Sequence, residues 1–281
     1  MSQFSDPDFL REAYGTDEGL SIRIQAQERY GLNQQNIFQA LTRAAQAATS
    51  PKAVLDVGAG TGAWYPWVRQ YAGNAVRYEA IDMSAAMVER LNQRMSGDPH
   101  GHAEVADAEA LPYPPESFDW VGLHYMLYHV PNIERALQSA WSVLRPGGIL
   151  VAATNGSRSY HEMLEWHAEA ASRLGLPYAE DARGDRFSLE NGARFFPHPP
   201  EMAQFPGGLS FPSIAAYLAY YGSGFCWAGI PLEYHQESVK RDLLETMGSL
   251  VKPLFEKEGV IPLSHTSGFF WLIKEMATPE P

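Results

Sequence analysis

The chain has a single cysteine, Cys226, in 281 residues. No intrachain disulfide and no cysteine metal cluster can therefore form. No stretch approaches the roughly 18 consecutive apolar residues of a membrane span. The first residues, Met1 to Asp6, lack the basic and apolar regions of a signal peptide. Basic residues are in the minority, with 21 Lys and Arg against 33 Asp and Glu and a formal net charge of −12. An acidic surface of this kind repels phosphate backbones and argues against a nucleic-acid partner. There is no run of like charge long enough to form an interaction tail, and no internal repeat. No His/Glu pair has convincing metal-ligand spacing, so no catalytic metal is expected. These absences predict a soluble, cytoplasmic protein; they leave its oligomeric state open.

What is present begins with composition. Hydrophobic residues make up 45% and aromatics 12%, which is the balance of a globular protein. The chain is organised around Val54-Leu55-Asp56-Val57-Gly58-Ala59-Gly60-Thr61-Gly62-Ala63-Trp64. An apolar run ends at Asp56-Val57, glycines follow at alternate positions, and Trp64 to Tyr71 is compatible with a helix. This is a strand, a tight turn and a helix. Glycine permits φ > 0 and lets a ligand approach the main chain, and the helix N-terminus directs free N–H groups at whatever lies over the turn.

Upstream, residues 8–48 read as helical. Ile22, Ile24 and Ala26 precede a stop at Gly31, and Asn33 is placed to cap a helix carrying Ile37, Phe38, Leu41, Ala44 and Ala45. Tyr14, Arg23 and Tyr30 lie in this preface, which packs on the sheet edge or forms part of a lid. Downstream, strand and helix alternate. Strands are predicted at Val76–Ile81, His102–Ala106, Phe118–Leu123 and Ile149–Ala153. Helices are predicted at Ala85–Met95, capped by Ser84, and at Ile133–Leu144, stopped by Pro146-Gly147-Gly148. Such alternation predicts an α/β, Rossmann-like, doubly wound and mostly parallel sheet with helices on both faces. Ligands on such sheets sit beyond the carboxyl ends of the strands, where Asp56, Asp82 and Asp107 all fall.

After Ala153 the regularity fails. A helix at Tyr160–Leu174 leads to an aromatic stretch from Phe195 to Trp227, with a sixth strand near Glu201–Phe205 and a helix at Ser213–Tyr221. Val239 to Val251 has helical spacing, with Pro253 kinking or ending that helix, and Gly268–Ile273 completes seven strands. The predicted organisation is a preface or lid (1–50), a cofactor-binding core (51–155), an insertion or cap for the acceptor (156–235) and a C-terminal helix and strand completing the core (236–281).

Two cofactor classes fit the turn. Gly58, Gly60 and Ala63, with Asp82 about 20 residues on, match a dinucleotide fingerprint. However, any ribose diol at this place wants a carboxylate to accept its hydroxyl hydrogens. Wider context separates the two. Asp56-x-Gly58-x-Gly60-x-Gly62, then Ala80-Ile81-Asp82-Met83-Ser84, Ala106-Asp107-Ala108 and Leu144-Arg145-Pro146-Gly147-Gly148 resemble the motifs of class I S-adenosylmethionine-dependent methyltransferases. Phe118-Asp119-Trp120 through His124-Tyr125-Met126-Leu127-Tyr128-His129-Val130-Pro131 is similar to the small-molecule branch that includes quinone-biosynthesis methyltransferases. Phe187-Ser188-Leu189-Glu190-Asn191-Gly192 resembles a segment of some bacterial members.

The resemblance implies S-adenosyl-L-methionine as cofactor and a small-molecule acceptor. Gly58, Ala59, Gly60 and Gly62 would lie against the methionine part, Asp82 would accept the ribose hydroxyls, and Met83 would pack on adenine. Asp107 would accept the adenine amino hydrogens, with the Ala108 backbone N–H donating to a ring nitrogen. Asp56 would orient the turn or meet the cofactor's ammonium group through water; capping or turn formation is the plainer role for Asp56 and Asp107. Just after the fourth strand, His124 is the residue best placed to touch cofactor or substrate. Tyr125 is divided between packing and pocket, and His129 suits a backbone-bonded structural role. The aromatics of the insertion suit an apolar or aromatic acceptor, or form its own core. A nicotinamide-dependent oxidoreductase is the alternative on the turn alone, but the chain has no Tyr-x-x-x-Lys pair. A non-catalytic S-adenosylmethionine-binding protein is the other alternative.

Overall fold

The computed structural model describes residues 18–32, 37–180 and 183–276. The expectations for Tyr14 and the Asn33 cap lie outside these residues. In chain order the elements are α1 (Glu18–Tyr30), α2 (Ile37–Ala45), β1 (Ala53–Val57), α3 (Tyr65–Ala72), β2 (Arg77–Asp82), α4 (Ala85–Arg94), β3 (Gly101–Val105), β4 (Phe118–His124), α5 (Ile133–Val143), β5 (Leu144–Asn155), α6 (His161–Arg173), β6 (Glu201–Phe211), α7 (Ile214–Tyr221), α8 (Glu237–Glu258) and β7 (Ile261–Ile273).

The seven strands lie in the order β3-β2-β1-β4-β5-β7-β6. Strands β1 to β5 pair in parallel, and β7 runs antiparallel to β5. This is the mostly parallel α/β sheet that the alternation predicts. Its central strands are buried on both faces, which is why β1 reads as an unbroken apolar run apart from Asp56. On one face Leu55, Val57, Val121, Leu123 and Leu150 pack with Ala136, Leu137 and Ala140 of α5. On the other, Val54, Tyr78, Ala80, Trp120 and Val151 pack with Leu41 of α2, Val68 of α3 and Leu91 of α4. Among the described residues side-chain caps start three of the helices, Ser84 accepting from Met87 N, Asn132 from Arg135 N and Ser213 from Ala216 N. Strand order reverses between β1 and β4, so the crevice for a ligand opens at the carboxyl ends of these two strands.

The chain forms two compact units. Among the described residues, one comprises 37–155, 186–205 and 267–276 and carries β1 to β5 with parts of β6 and β7; the other comprises 18–32, 156–180, 183–185 and 206–266. The second has its own core, in which Phe211, Tyr217, Tyr220 and Tyr221 pack with Met163 of α6 and Leu243, Met247 and Val251 of α8. Most of the aromatics between Phe205 and Trp227 therefore belong to that core.

Two sequence expectations are corrected. Pro146-Gly147-Gly148 does not stop α5, which ends at Val143, but belongs to an irregularity in β5. Phe118 pairs with Leu144 and Trp120 with Ile149, so the intervening residues of β5 leave the ladder. They bond elsewhere, Gly147 N donating to Lys274 O at 2.7 Å and Thr49 N to Gly147 O at 2.9 Å. Gly148 is required here because a Cβ would come within 2.8 Å of Asp119 O. Nor does Pro253 end α8, which runs on to a left-handed Gly259 cap. Pro253 is exposed, so the carbonyl that its missing N–H leaves unpaired can be solvated, and the helix tolerates it.

His265 gives the second unit an acid limit. Its ring stacks on Tyr160 at 4.8 Å, and burial pushes its pKa down to about 4. The unfolded chain takes up that proton near pH 6.5 and the folded chain does not. Stability from this source is therefore complete above pH 6.5 and declines as the pH falls toward 4. Urea midpoints measured from pH 7.5 to 4 should show this decline, and His265→Gln should flatten it.

Candidate active site

The loop after β1 turns through three left-handed residues, Gly58 at φ 67°, Gly60 at φ 55° and Gly62 at φ 74°. Gly58 and Gly62 also lack room for a side chain. A Cβ at Gly58 would lie 2.8 Å from Met126 Cγ, and one at Gly62 would run into Leu91 Cδ1. Gly60 differs, because no described atom lies within 4 Å of where its Cβ would stand. The turn is thus closed at both ends and open in the middle. Ala59, between the glycines, is buried and donates its N–H to Ile81 O.

Asp82 holds the open part of the turn. One carboxylate oxygen accepts from Gly60 N at 2.9 Å and the other from Ser84 N at 2.9 Å. A carboxylate has about four acceptor positions, so each oxygen keeps one for a ligand hydroxyl. Burial holds the carboxyl above the usual aspartate range, against the lowering effect of these two bonds, and the nearby Asp56 charge adds to the rise. Met83, the next residue, is 60% exposed. Asp107 is exposed, and its carboxylate accepts from Glu109 N at 2.8 Å, the local turn that its type favours. Ala108 beside it is buried.

Asp56 and His124 meet at the switch point. The register places Asp56 opposite Gly122 and Val57 opposite Leu123, which puts His124 level with the start of the glycine turn. Asp56 is buried. One oxygen accepts from the Tyr78 hydroxyl at 2.7 Å, and the other lies 3.2 Å from His124 Nδ1. A proton on Nδ1 satisfies that pair and leaves Nε2 as an acceptor. Nε2 is buried and has no hydrogen-bond partner among the described residues. The imidazole lies flat on the Trp64 indole, with centroids 3.7 Å apart, over Gly122, where a Cβ would collide with the ring. His124 is therefore built into the floor beneath the turn, and its side chain is 5% exposed.

The residues after His124 turn sharply. Tyr125 is one of the few non-glycine residues with positive φ, at 56°, a conformation that stores strain. Its backbone N donates to Ala153 O at 2.9 Å. Burial pushes its phenol up to about 12, although Ser267 bonds to it, so it is a hydroxyl donor rather than a base at neutral pH. His129 closes a short helical turn, Leu127–His129, with its N–H on Met126 O and its ring edge-on to Tyr128. The structure thus gathers Asp56, Gly58, Gly60, Asp82 and His124 around one turn, while Asp107 and Ala108 follow the edge strand β3.

Three contributors escape the sequence, and a fourth, Trp64, reads there as a residue that borders the cofactor or simply packs. Tyr78 and Trp64 are core aromatics, except that one donates to Asp56 and the other carries His124. Gly122 is the one readable signal, a glycine inside an otherwise apolar strand. Arg186, 58 positions from the loop it bonds, leaves no local mark.

The segment 55–152 matches a family model described as "Methyltransferase domain". The malonyl-acyl-carrier-protein O-methyltransferase of Halorhodospira halophila is 33% identical over 155 residues, covering 54% of this chain and 52% of that protein. The ubiquinone/menaquinone biosynthesis C-methyltransferase UbiE of Methylococcus capsulatus is 32% identical over 152 residues, covering 50% of this chain and 60% of that protein. The chain thus spans roughly half of the length of these two relatives. Among solved structures, the Haemonchus contortus phosphoethanolamine N-methyltransferase 2 in complex with S-adenosyl-L-methionine shares the fold. Its TM-score is 0.56 at 17% identity, covering 98% of this chain and 61% of that one.

Gly122→Ala should destabilise the protein by about 1–3 kcal/mol, the usual cost of overpacking. In a His124→Ala background that penalty should largely vanish. A double-mutant cycle in urea checks this; equal penalties in both backgrounds would show that the ring does not rest on Gly122.

Proposed function

With residues 55–152 matching a methyltransferase domain model, we propose that the chain is a class I methyltransferase that transfers a methyl group from S-adenosyl-L-methionine to a small-molecule acceptor. The observation that carries this is the pair of carboxylates at the glycine turn, Asp82 bonded to Gly60 N and Asp56 buried beneath it, beside the one open glycine. A cofactor bearing a sulfonium and an ammonium gains from that charge, whereas the pyrophosphate of a dinucleotide is repelled by it. The residues fit such a cofactor. Gly60 leaves space for close approach, Asp82 keeps two acceptor positions for a ribose diol, and Met83 offers an exposed apolar side chain for an adenine face. Asp107 and Ala108 follow on the next strand for its amino edge.

When bound, the cofactor supplies an activated methyl group on a positively charged sulfur. The protein's part is positioning, a contribution that can reach roughly 7–11 kcal/mol as effective molarity. Asp82 fixes both the ribose and Gly60, so the turn and the cofactor share one anchor. Asp56 faces the cofactor's positive end, directly or through water, and the Tyr78 hydroxyl and His124 Nδ1 hold its carboxylate in place. His124 serves the site through Asp56, with its ring orientation set by Trp64 and Gly122. Tyr125 offers a protonated hydroxyl to the acceptor, and His129 shapes the loop that follows. Acceptor choice belongs to residues 156–235. By name the two relatives methylate at oxygen and at carbon, so the attacked atom here is an O, N or C nucleophile of an apolar or aromatic molecule. No nucleic acid is involved, and the protein works in the cytoplasm. Among the described residues no helix is long and apolar enough to cross a membrane.

Titration calorimetry with S-adenosylmethionine, its demethylated product and NAD tests the assignment. Binding of the first two and not of NAD is expected; binding of NAD alone would sink the methyltransferase function. Asp82→Ala should weaken S-adenosylmethionine by about 1.5–3 kcal/mol, the size of a hydrogen bond to a charged group. Affinity should also fall on acidification. Because the Asp82 pKa is raised, the loss begins above the ordinary aspartate range, as the carboxylate gains a proton and ceases to accept. Asp82→Asn should remove that part of the pH dependence.

A further inference from the structure

The loop after β4 is held by a side chain from outside the methyltransferase domain match. Arg186 donates from Nε to Tyr128 O at 2.9 Å and from Nη2 to Val130 O at 2.5 Å. These carbonyls flank His129 in the turn Leu127–His129. Within that turn His129 N bonds Met126 O at 2.9 Å and Val130 N bonds Leu127 O at 3.1 Å. Met126 in turn lies so close to Gly58 that no Cβ could stand between them. One guanidinium thus fixes the backbone whose side chain closes one end of the cofactor turn.

Arg186 is itself well anchored. Phe187, next in the chain, is buried against Phe270 and Phe195. Thr154 Oγ1 donates to Phe187 O at 3.2 Å, and Leu189 N to Asn155 O at 3.1 Å. Asn191 Oδ1 accepts from Ser188 N at 2.8 Å. A Cβ on Gly192 would meet the Phe270 and Phe187 rings, so the segment is held against β7 by these rings and against the end of β5 by the Thr154 and Asn155 bonds. The Arg186 fork therefore ties the loop that leaves β4 to the segment seated on β5. The two carbonyls are reached by two separate nitrogens of one planar fork, Nε and Nη2, whereas a lysine ammonium would donate from a single point.

We propose that Arg186 is a positioning residue for the cofactor: it holds the Met126–Val130 loop against Gly58 and so presets the site before the cofactor arrives. This rests on the methyltransferase function proposed above, and it adds a residue that lies beyond residues 55–152. A preset loop spares the cofactor the cost of ordering it on binding.

The test compares wild type, Arg186→Lys and Arg186→Ala by two readouts. Calorimetry with S-adenosylmethionine and S-adenosylhomocysteine should show affinity weakened about tenfold or more in Arg186→Ala and by less in Arg186→Lys. Amide exchange followed by mass spectrometry should quicken in peptides covering 126–130 and stay unchanged in those covering β1. The lysine variant, which keeps the charge, serves if the alanine variant fails to fold. Wild-type affinity in both variants would overturn the proposal and leave the methyltransferase function standing. If the wild type binds neither compound, that function falls instead. The exchange arm then decides alone: faster loop exchange supports the hold of Arg186 on the loop, and unchanged exchange overturns it.

Discussion

The site depends on one constraint, a backbone turn of three left-handed glycines that must stay open at its middle residue. Left-handed backbone costs most L-residues about 1–2 kcal/mol each, so a glycine-free version of this turn would be strained at every second position. Glycine removes the strain but also removes rigidity, since it restricts the chain least. The structure restores that rigidity from outside the turn. Met126 closes one end, Leu91 the other, and the Asp82 carboxylate grips Gly60 N in between. Arg186 continues the same arrangement one layer further out.

Charge follows from that geometry. Asp56 is buried, and the groups that meet its carboxylate are a tyrosine hydroxyl and an imidazole. Such a carboxylate keeps much of its negative potential, which helps to push the Asp82 pKa upward. Two mutually repelling acids at one turn are a poor bargain for stability alone. They make sense as a seat for a cationic ligand, whose arrival relieves the repulsion. His124 fits the same picture. Its ring is pinned between Trp64 and Gly122 with one nitrogen given to Asp56, so its orientation serves the carboxylate.

Much of this was legible in the chain. Strand ends could be read because parallel strands buried on both faces form apolar runs, and Asp56, Asp82 and Asp107 break those runs at the same edge. Ser84 announced its helix through a local bond that any sequence window contains. The misreadings share a different cause. Pro146-Gly147-Gly148 has the composition of a helix stop, yet its role is set by Lys274 and Thr49, both remote in the chain. Pro253 looks like a helix end until its exposure is known. Trp64 under His124, Tyr78 on Asp56 and Arg186 on the Tyr128 and Val130 carbonyls are all long-range contacts. Spacing cannot reveal them, because each partner would look the same if it packed elsewhere. For the insertion's aromatics the sequence leaves an acceptor pocket and a core both open, and most of those from Phe205 to Trp227 are core.

The central claim is that the open glycine and its aspartate form the seat of an adenosyl cofactor. A crystal structure grown with S-adenosylhomocysteine tests it most directly. The account predicts the ribose diol on the Asp82 carboxylate over Gly60, with adenine between Met83 and the Asp107-Ala108 edge. A ligand seated elsewhere, with Asp82 still bonded only to Gly60 N and Ser84 N, would contradict it.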